Sequence, residues 1–532
     1  MYNGGIWATR TTELTEEKLF MDGKILVEEL LAYAKAHLSL DPLDTPWLRN
    51  RLLAALRLDG ATAAEADTTH VAALDVPDAL TEKLRTYARE RDLCEEGYEA
   101  IFATEVMGLM TPPPSAINAL FEKKKQAEGL DAAIAWFYSL CIHNDYIQKT
   151  AISRNREWEY RDGDNTLEIT INLSKPEKSN KEIAKLLTAP KQTEKYPACA
   201  LCQENEGYEG TLTHPARGNL RTLSITMGGE DWFMQYSPYA YYREHCIAIS
   251  RAHTPMKVDA TTPAKLLDFV DAFPQYFIGS NAALPIVGGS ILNHEHYQGG
   301  GTLLPMQKAP VEKTYVLPAY PTVKLGRLSW YNSALRLESS DRAALLAVAV
   351  RVIEAWRDFS APEIGIHAKS GDVPHNTLSP IARRVGDVYI MDMILRNNRT
   401  SEEYPDGIYH AHPEYHNIKK EGIGLIEAMG RFILPGRLKT QLADVAAILS
   451  GKTPYDAAAL RAEDHPLAVH ADMIASLVAE HGTALAPAEA ERAVRDRVNR
   501  VCAAILDNTA VFKRDECGLA AFDRFISLVE NA

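Results

Sequence analysis

The chain has 532 residues, with 57 Lys and Arg against 71 Asp and Glu, so its formal net charge is −14. This length predicts about two to four domains or one large enzyme. A composition of 46% hydrophobic and 24% charged residues excludes a wholly disordered chain. The acidic balance argues against a general nucleic-acid binder, because such a protein needs a basic surface to neutralise phosphates.

The cysteines and the N-terminal segment bear on location. Seven cysteines in a chain of this length do not make a disulfide framework. The N-terminal segment lacks the basic start and apolar run of a signal peptide. No uncharged apolar run reaches the ~18 residues of a membrane span. We therefore expect a soluble cytoplasmic protein without nucleic-acid or membrane partners.

Helical periodicity dominates the first third of the chain. Apolar side chains recur from Val27 to Leu38 at the spacing of one helix face. Similar patterns follow around Leu48–Leu58, Leu80–Cys94 and Ala132–Ile147. The prolines at 112–114 interrupt this region, and Ser115 is the predicted N-cap of the next helix.

Strand patterns begin near Trp158. Alternation from Leu167 to Leu173 predicts a strand with one buried face. The polar segment Lys175–Lys195 predicts a loop or linker with a short helix. Further buried strands are predicted at His245–Ser250, Ile364–Ala368 and Val388–Leu395. Alanine-rich helical patterns return from Arg431, and this order of elements predicts an α+β fold with helical additions.

The segment GGSILNHEHYQGGG, residues 288–301, has the sharpest chemical pattern. On an extended backbone, His294, His296 and Gln298 project from one face, while Glu295 and Tyr297 project from the other. A neutral imidazole can attack phosphorus, and a glutamine amide can bind a phosphoryl oxygen. The flanking glycines would let the backbone approach a ligand closely. The alternative is a pair of polar residues on a solvent-facing strand edge.

Two further patterns have the spacing of metal ligands. Cys199 and Cys202 form a CxxC pair, which is half of a zinc site, and His253 and His294 are candidates for the other half. A redox pair and coincidence are the alternatives.

The second pattern is the pair His410 and His412. It could bind a second metal together with His375 and Glu312. A pair of surface histidines is the alternative here.

Taken together, these residues resemble the galactose-1-phosphate uridylyltransferase family, in its longer second type, within the histidine-triad superfamily. NHEHYQGG (Asn293–Gly300) is the most specific segment, and ITINLSKPEKSN (Ile169–Asn180) is also typical. The resemblance implies a histidine-triad-like antiparallel sheet core in duplicated half-units, with helical additions at both ends. We expect a helical region at 1–160, a first transferase half with both motifs at 161–320, a second half at 321–435, and a helical region at 436–532.

The resemblance also implies a ping-pong reaction. His296 would attack the α-phosphorus of UDP-glucose, release glucose 1-phosphate and hold the uridylyl group. Galactose 1-phosphate would then accept it to give UDP-galactose. Gln298 matches the glutamine that holds the phosphoryl group, where related hydrolases have a third histidine.

Other residues follow from the resemblance. Cys199, Cys202, His253 and His294 match zinc ligands, and Glu312, His375, His410 and His412 resemble a second metal site for iron or zinc. Asn281 and Ser290 lie where the family contacts the nucleotide, and Gly299 and Gly300 could supply N–H donors to the phosphoryl group. Arg217 and Arg221 are further phosphate candidates or an ordinary solvated pair. Lys420, Ile423 and Gly424 match a later sugar-phosphate segment. No organic cofactor is expected, and the protein is a candidate homodimer.

The sequence departs from the shorter first type at two positions. Glu421 replaces an aromatic residue of the sugar-phosphate segment. Glu295 replaces the proline between the two histidines, which leaves the strand more adaptable or adds a hydrogen-bond acceptor. A dinucleotide hydrolase or phosphorylase and a non-catalytic zinc-bearing binding protein are the alternative functions.

Overall fold

The computed structural model describes residues 22–60, 66–174, 196–211 and 213–531. The predicted linker, Lys175–Lys195, lies outside the described residues. The last six residues of the segment Ile169–Asn180 lie outside them as well.

Helices account for the regular structure of the described chain up to residue 152. They are α1 (Gly23–His37), α2 (Thr45–Ala55), α3 (Thr69–Ala72), α4 (Asp78–Glu90), α5 (Glu99–Met110), α6 (Pro114–Glu128), α7 (Leu130–His143) and α8 (Lys149–Ile152). The helical prediction for this region is confirmed. The prediction of Ser115 as an N-cap is wrong, because α6 begins at Pro114. Proline suits the first helical position, since its φ is already helical and its missing N–H would have no partner there.

The described part of the chain has fifteen strands. They are β1 (Arg156–Asp162), β2 (Asn165–Ile171), β3 (Leu223–Met227), β4 (Glu230–Tyr236), β5 (Cys246–Ser250), β6 (Phe277–Gly279), β7 (His296–Gly300), β8 (Val311–Tyr315), β9 (Lys324–Leu328), β10 (Ala334–Ser339), β11 (Lys369–Ser370), β12 (Val373–Pro374), β13 (Asn376–Val385), β14 (Val388–Asn397) and β15 (Arg431–Leu434).

The remaining helices lie between and after these strands. They are α9 (Thr262–Ala272), α10 (Pro305–Lys308), α11 (Arg342–Asp358), α12 (Leu425–Ala428), α13 (Leu438–Leu449), α14 (Ala471–His481), α15 (Pro487–Thr509) and α16 (Glu516–Asn531). Together with the antiparallel strand pairs, they confirm the α+β class.

Ten strands form one sheet with a repeated topology. Their order is β3-β4-β5-β7-β6-β13-β14-β10-β9-β8. From the β3 edge, three successive strands are followed by a helix, α9, and then by the pair β6 and β7. From the β8 edge, three successive strands are followed by α11 and then by β13 and β14. The two halves meet where β6 pairs antiparallel with β13.

A three-stranded sheet of order β1-β2-β15 stands apart from the large sheet. Strand β15 runs parallel to β2, and Phe432 pairs with Ile169. The helical pattern predicted from Arg431 therefore begins only at Leu438. The strand predicted at Ile364–Ala368 is also wrong, because a 3-10 turn and the left-handed Gly365 (φ 80°) occupy this segment.

The chain divides into two compact units. The first takes the described residues of Met1–Thr150 and Glu177–Leu223, and its core includes Leu30, Leu52 and Met107. The second takes Ala151–Pro176 and Ser224–Ala532, again as far as they are described. The predicted division into four regions stays a prediction. No described helix is both long and apolar enough to cross a membrane.

A buried ion pair joins α9 to the segment that leads into β7. Lys265 on α9 and Glu295 are each 2% exposed, and their charged groups lie 3.2 Å apart. Tyr297 donates a hydrogen bond to the same carboxylate at 2.8 Å. The ammonium group also contacts Glu230 at 2.8 Å and lies 5.2 Å from the ring centre of Trp232. Since charges buried at this depth need partners, these contacts hold the back of β7 against α9.

We expect Lys265→Met to lower the free energy of unfolding by about 3–5 kcal/mol, because it leaves the Glu295 carboxylate buried without its cation. Adding Glu295→Gln should recover part of the loss, since it removes the unpaired charge. Urea denaturation followed by circular dichroism measures both changes. Lys257→Met is the control, since Lys257 and Asp259 are exposed and such pairs contribute at most about 1 kcal/mol. Equal losses in Lys265→Met and Lys257→Met would contradict the prediction.

Candidate functional site

Strand β7 positions the two residues with the sharpest chemical pattern. It lies between β5 and β6, where His296 pairs with Ile249 and Gln298 pairs with Gly279. Because side chains alternate along a strand, His296 and Gln298 face away from the side on which Tyr297 meets Glu295. His294 precedes the strand, which begins at His296.

A backbone carbonyl orients the ring of His296. Its Nδ1 lies 2.8 Å from the carbonyl oxygen of His294. A carbonyl only accepts hydrogen bonds, so Nδ1 carries the proton and Nε2 presents a lone pair. The side chain is buried, and this burial lowers the pKa of His296 despite the opposing effect of the His294 carbonyl. The ring is therefore a neutral imidazole with Nε2 as its nucleophilic atom.

The amide of Gln298 has a partner that the sequence did not reveal. Its Oε1 lies 3.2 Å from Nε2 of His245, a buried histidine just before β5. Burial lowers the pKa of His245 to about 4, so the ring is neutral at physiological pH. No sequence pattern pairs these two residues, since 53 residues separate them along the chain. The pairing of β5 with β7 brings the two together.

The glycines after Gln298 allow neighbouring strands to pack closely. A Cβ atom on Gly299 would lie 2.1 Å from the carbonyl oxygen of Phe277 on β6. A Cβ atom on Gly300 would lie 2.7 Å from the carbonyl oxygen of Glu244. The sequence predicted that a ligand would approach these glycines closely. In the structure, neighbouring segments of the protein backbone make this close approach.

The four predicted zinc ligands form a group that could hold a metal ion. One ligand atom each from Cys199, Cys202, His253 and His294 lies within 4.8 Å of the others. The two Sγ atoms are 3.5 Å apart, and the two imidazole rings stack with centres 4.6 Å apart. His294 donates from Nε2 to the carbonyl of Ser250 at 2.8 Å, which leaves Nδ1 as its ligand atom.

The four residues predicted to bind a second metal do not come together as a ligand group in the described structure. Glu312 pairs with Arg327 at 2.6 Å and also with Arg514. His410 accepts a hydrogen bond from the N–H of Ile423 at 3.1 Å.

The two other histidines of this set are also engaged locally. His375 lies between Asn398 (2.9 Å) and Ser370 (2.8 Å). His412 donates to the carbonyl of Ile408 at 3.0 Å. The structure therefore gives the second metal no support, and it stays a prediction.

The two predicted phosphate-binding arginines have local partners. Arg221 is buried, and its guanidinium group donates to the backbone carbonyls of Gly108, Thr111, Pro112, Gly218 and Leu220. The N–H groups of this side chain therefore all bind backbone carbonyls, and none is left to bind a phosphate. Arg217 is half-buried, donates to the carbonyl of Ala216 and lies 5.8 Å from the ring centre of Tyr146.

Two predicted substrate-binding segments are adjacent. Asn281, which follows β6, accepts a hydrogen bond from the N–H of Leu425 at 2.9 Å. Gly424 donates to the carboxylate of Glu427 at 3.1 Å. The predicted nucleotide segment and the predicted sugar-phosphate segment therefore meet at Asn281.

The side chains at the ends of these segments differ in exposure. Ser290 and Lys420 are exposed. The neighbouring Lys419 is buried and pairs with Glu427 at 2.6 Å. Sequence reasoning passed over this pair, because a charged residue in a polar segment gives no sign of burial.

Comparisons with known proteins identify the family of the chain. Residues 47–255 match the family model for the galactose-1-phosphate uridyl transferase N-terminal domain, and residues 269–464 match that for its C-terminal domain. The galactose-1-phosphate uridylyltransferase of Caldanaerobacter subterraneus subsp. tengcongensis is 42% identical over 513 residues, which cover 95% of this chain and 98% of that protein. The protein of the same name from Halalkalibacterium halodurans is 42% identical, with 95% and 99% covered. Galactose-1-phosphate uridylyltransferase 2 of Streptococcus pneumoniae serotype 4 is 41% identical, also with 95% and 99% covered. With its carbonyl-oriented histidine and neighbouring glutamine on one strand, the chain belongs to the galactose-1-phosphate uridylyltransferase family.

Proposed function

We propose that this chain transfers a uridylyl group from UDP-glucose to galactose 1-phosphate, giving glucose 1-phosphate and UDP-galactose. The observation that carries the proposal is the orientation of His296. Its Nδ1–H is held by the His294 carbonyl, so the lone pair of Nε2 is available. Family membership supports the choice of substrates.

The reaction consists of two displacements at the same phosphorus. First, Nε2 of His296 forms a bond to the α-phosphorus of UDP-glucose while the bond to the β-phosphate oxygen breaks, and glucose 1-phosphate leaves. Then a phosphate oxygen of galactose 1-phosphate attacks the same phosphorus, and the bond to His296 breaks. Each step exchanges one activated bond for another, which divides the transfer into two comparable displacements. The amide N–H₂ of Gln298 donates to the phosphoryl oxygens during both.

We further propose that the ten-stranded sheet contains two histidine-triad-like half-units. The support is the repeated order of three strands, a helix and two strands in each half. The second half begins with β8 at Val311, close to the predicted boundary at 321. The first half contains β7 and therefore the nucleophile.

We propose zinc as the ion that the Cys/His group holds. Two thiolates and two imidazoles are the donor set that zinc prefers at four-coordinate structural sites. The hydrogen bond from His294 to Ser250 fixes the ring in the way that metal-binding histidines require. Bound zinc would supply a structural cross-link and leave the displacement chemistry to His296.

Asn281, Ile423 and Gly424 are proposed substrate contacts. Their support is the hydrogen bond that joins Asn281 to the segment immediately after Gly424. Gly299, Gly300, Ser290 and Lys420 stay sequence predictions, as do the cytoplasmic location and the homodimer.

UDP-glucose alone should label the enzyme covalently. We expect one uridylyl adduct on the peptide that contains His296, because the first displacement needs no second substrate. Intact-mass and peptide mass spectrometry after acid-free quenching measure the adduct. His296→Ala should abolish it, since the attacking nitrogen is lost.

His367→Ala is the matched control, since His367 lies outside the proposed site and this variant should be labelled like the wild type. An adduct on another residue would overturn the role of His296. Cleavage of diadenosine polyphosphates, with no reaction on UDP-sugars, would establish the dinucleotide hydrolase in its place.

Removal of one thiolate should remove the metal. We expect Cys199→Ser to lower the zinc content of the purified protein to a small fraction of the wild-type value, because a serine hydroxyl stays protonated and binds zinc weakly. Plasma mass spectrometry of the dialysed protein measures the content. Cys94→Ser is the control and should keep the zinc. A zinc content unchanged in Cys199→Ser would refute the assignment.

A further inference from the structure

His245 makes a hydrogen bond that the reaction does not itself require. Its Nε2 lies 3.2 Å from Oε1 of Gln298, and its side chain is buried. The rings of Tyr241 and Tyr242 lie against it, with centres 5.3 Å and 4.7 Å away. These rings confine the imidazole to one orientation.

The amide of Gln298 has two different ends. One is an oxygen that only accepts hydrogen bonds, and the other is an N–H₂ group that only donates them. Phosphoryl oxygens are acceptors, so only the N–H₂ end can stabilise the group in transfer. A free amide could turn either end toward the phosphate, and the wrong end would place one oxygen against another.

In the structure, the oxygen end of the amide faces His245. The Oε1 atom can be held only by a ring nitrogen that carries a proton, which makes Nε2 the protonated nitrogen of the neutral ring. Its Nδ1 is buried and has no hydrogen-bond partner within the described part of the chain. Among the residues that the structure describes, Gln298 is therefore the only hydrogen-bond partner of this side chain.

We infer that His245 is a positioning residue that holds the Gln298 amide with its N–H₂ group toward the transferred phosphoryl group. The inference rests on the proposed function, since only that function places a phosphoryl group beside the N–H₂ group of Gln298. It differs from the roles of His296 and Gln298 themselves, because His245 acts through Gln298 and does not touch the substrate.

A double-mutant cycle tests the inference. The rate measured is the single-turnover formation of the uridylyl adduct at saturating UDP-glucose. We expect His245→Met to slow it roughly tenfold, about the effect of one lost hydrogen bond. Gln298→Ala should slow it at least as much. The variant with both changes should be no slower than Gln298→Ala, since His245 has nothing to position once the amide is gone.

Conservative replacements separate positioning from general packing. His245→Gln should restore most of the rate, because its amide nitrogen reaches the place of the Nε2 donor. His245→Asn is shorter, so it should remain slow even if it folds better than His245→Met. The apparent affinity for UDP-glucose should change little in these variants, since only the transition-state contact is affected.

The chain offers a matched control. His470 is also buried, its Nε2 lies 3.1 Å from Oε1 of Gln441, and burial lowers its pKa to about 4. This pair lies among the C-terminal helices. His470→Met should lower the thermal midpoint without changing the rate of adduct formation per folded molecule.

The outcomes separate the two levels of the proposal. A wild-type protein that forms no adduct, or a Gln298→Ala variant with the full rate, would overturn the proposed function or the role of Gln298. If Gln298→Ala forms the adduct slowly while a folded His245→Met or His245→Asn variant forms it at the wild-type rate, only the inference about His245 is overturned. Additive losses in the double variant would overturn it too. Slow His245 variants, non-additivity and rescue by His245→Gln would together support it.

Discussion

The arrangement of the site depends on the short strand β7, whose two faces make different contacts. On one side, the buried pair of Lys265 and Glu295 holds the segment to α9, with Tyr297 donating to the same carboxylate. On the other side are His296 and Gln298, the proposed nucleophile and the proposed phosphoryl-binding residue. In the first type of this family, a proline stiffens the backbone between the two histidines. Here the contacts of Glu295 with Lys265 and Tyr297 restrain the same segment, so the glutamate does not leave the backbone unrestrained.

The proposed nucleophile and the proposed metal ligand His294 are linked through the backbone. The carbonyl that holds His296 belongs to His294, and the ring of His294 is itself held by the carbonyl of Ser250. Because carbonyls are neutral acceptors, they fix both rings without adding a charge beside the proposed nucleophile. The resulting His296 ring is uncharged and oriented before any substrate arrives, which is the condition for efficient attack.

Local patterns predicted much of this structure, and long-range contacts account for most of the rest. Helical periodicity located α1, and alternation located β2, since each pattern reports burial within one element. The glycines at 299 and 300 were recognised as points of close approach, but the sequence could not say that strands approach there. His245 and Lys265 were missed, because their partners lie 53 and 30 residues away and depend on strand pairing and helix docking. Arg221 shows that residue type alone does not identify a ligand, because its guanidinium group is taken up by backbone carbonyls.

The repeated topology of the large sheet has a consequence for how the chain can change over generations. The halves are joined by more than the pairing of β6 with β13, because α9 of the first half also packs against β13 and beside α11 of the second. Arg342, at the start of α11, pairs with Asp268 and Asp271 on α9. Substitutions at residues in contact do not act independently on stability, whereas distant ones nearly do. Sequence changes along this seam should therefore be coupled between the two halves, while changes far from it can accumulate separately.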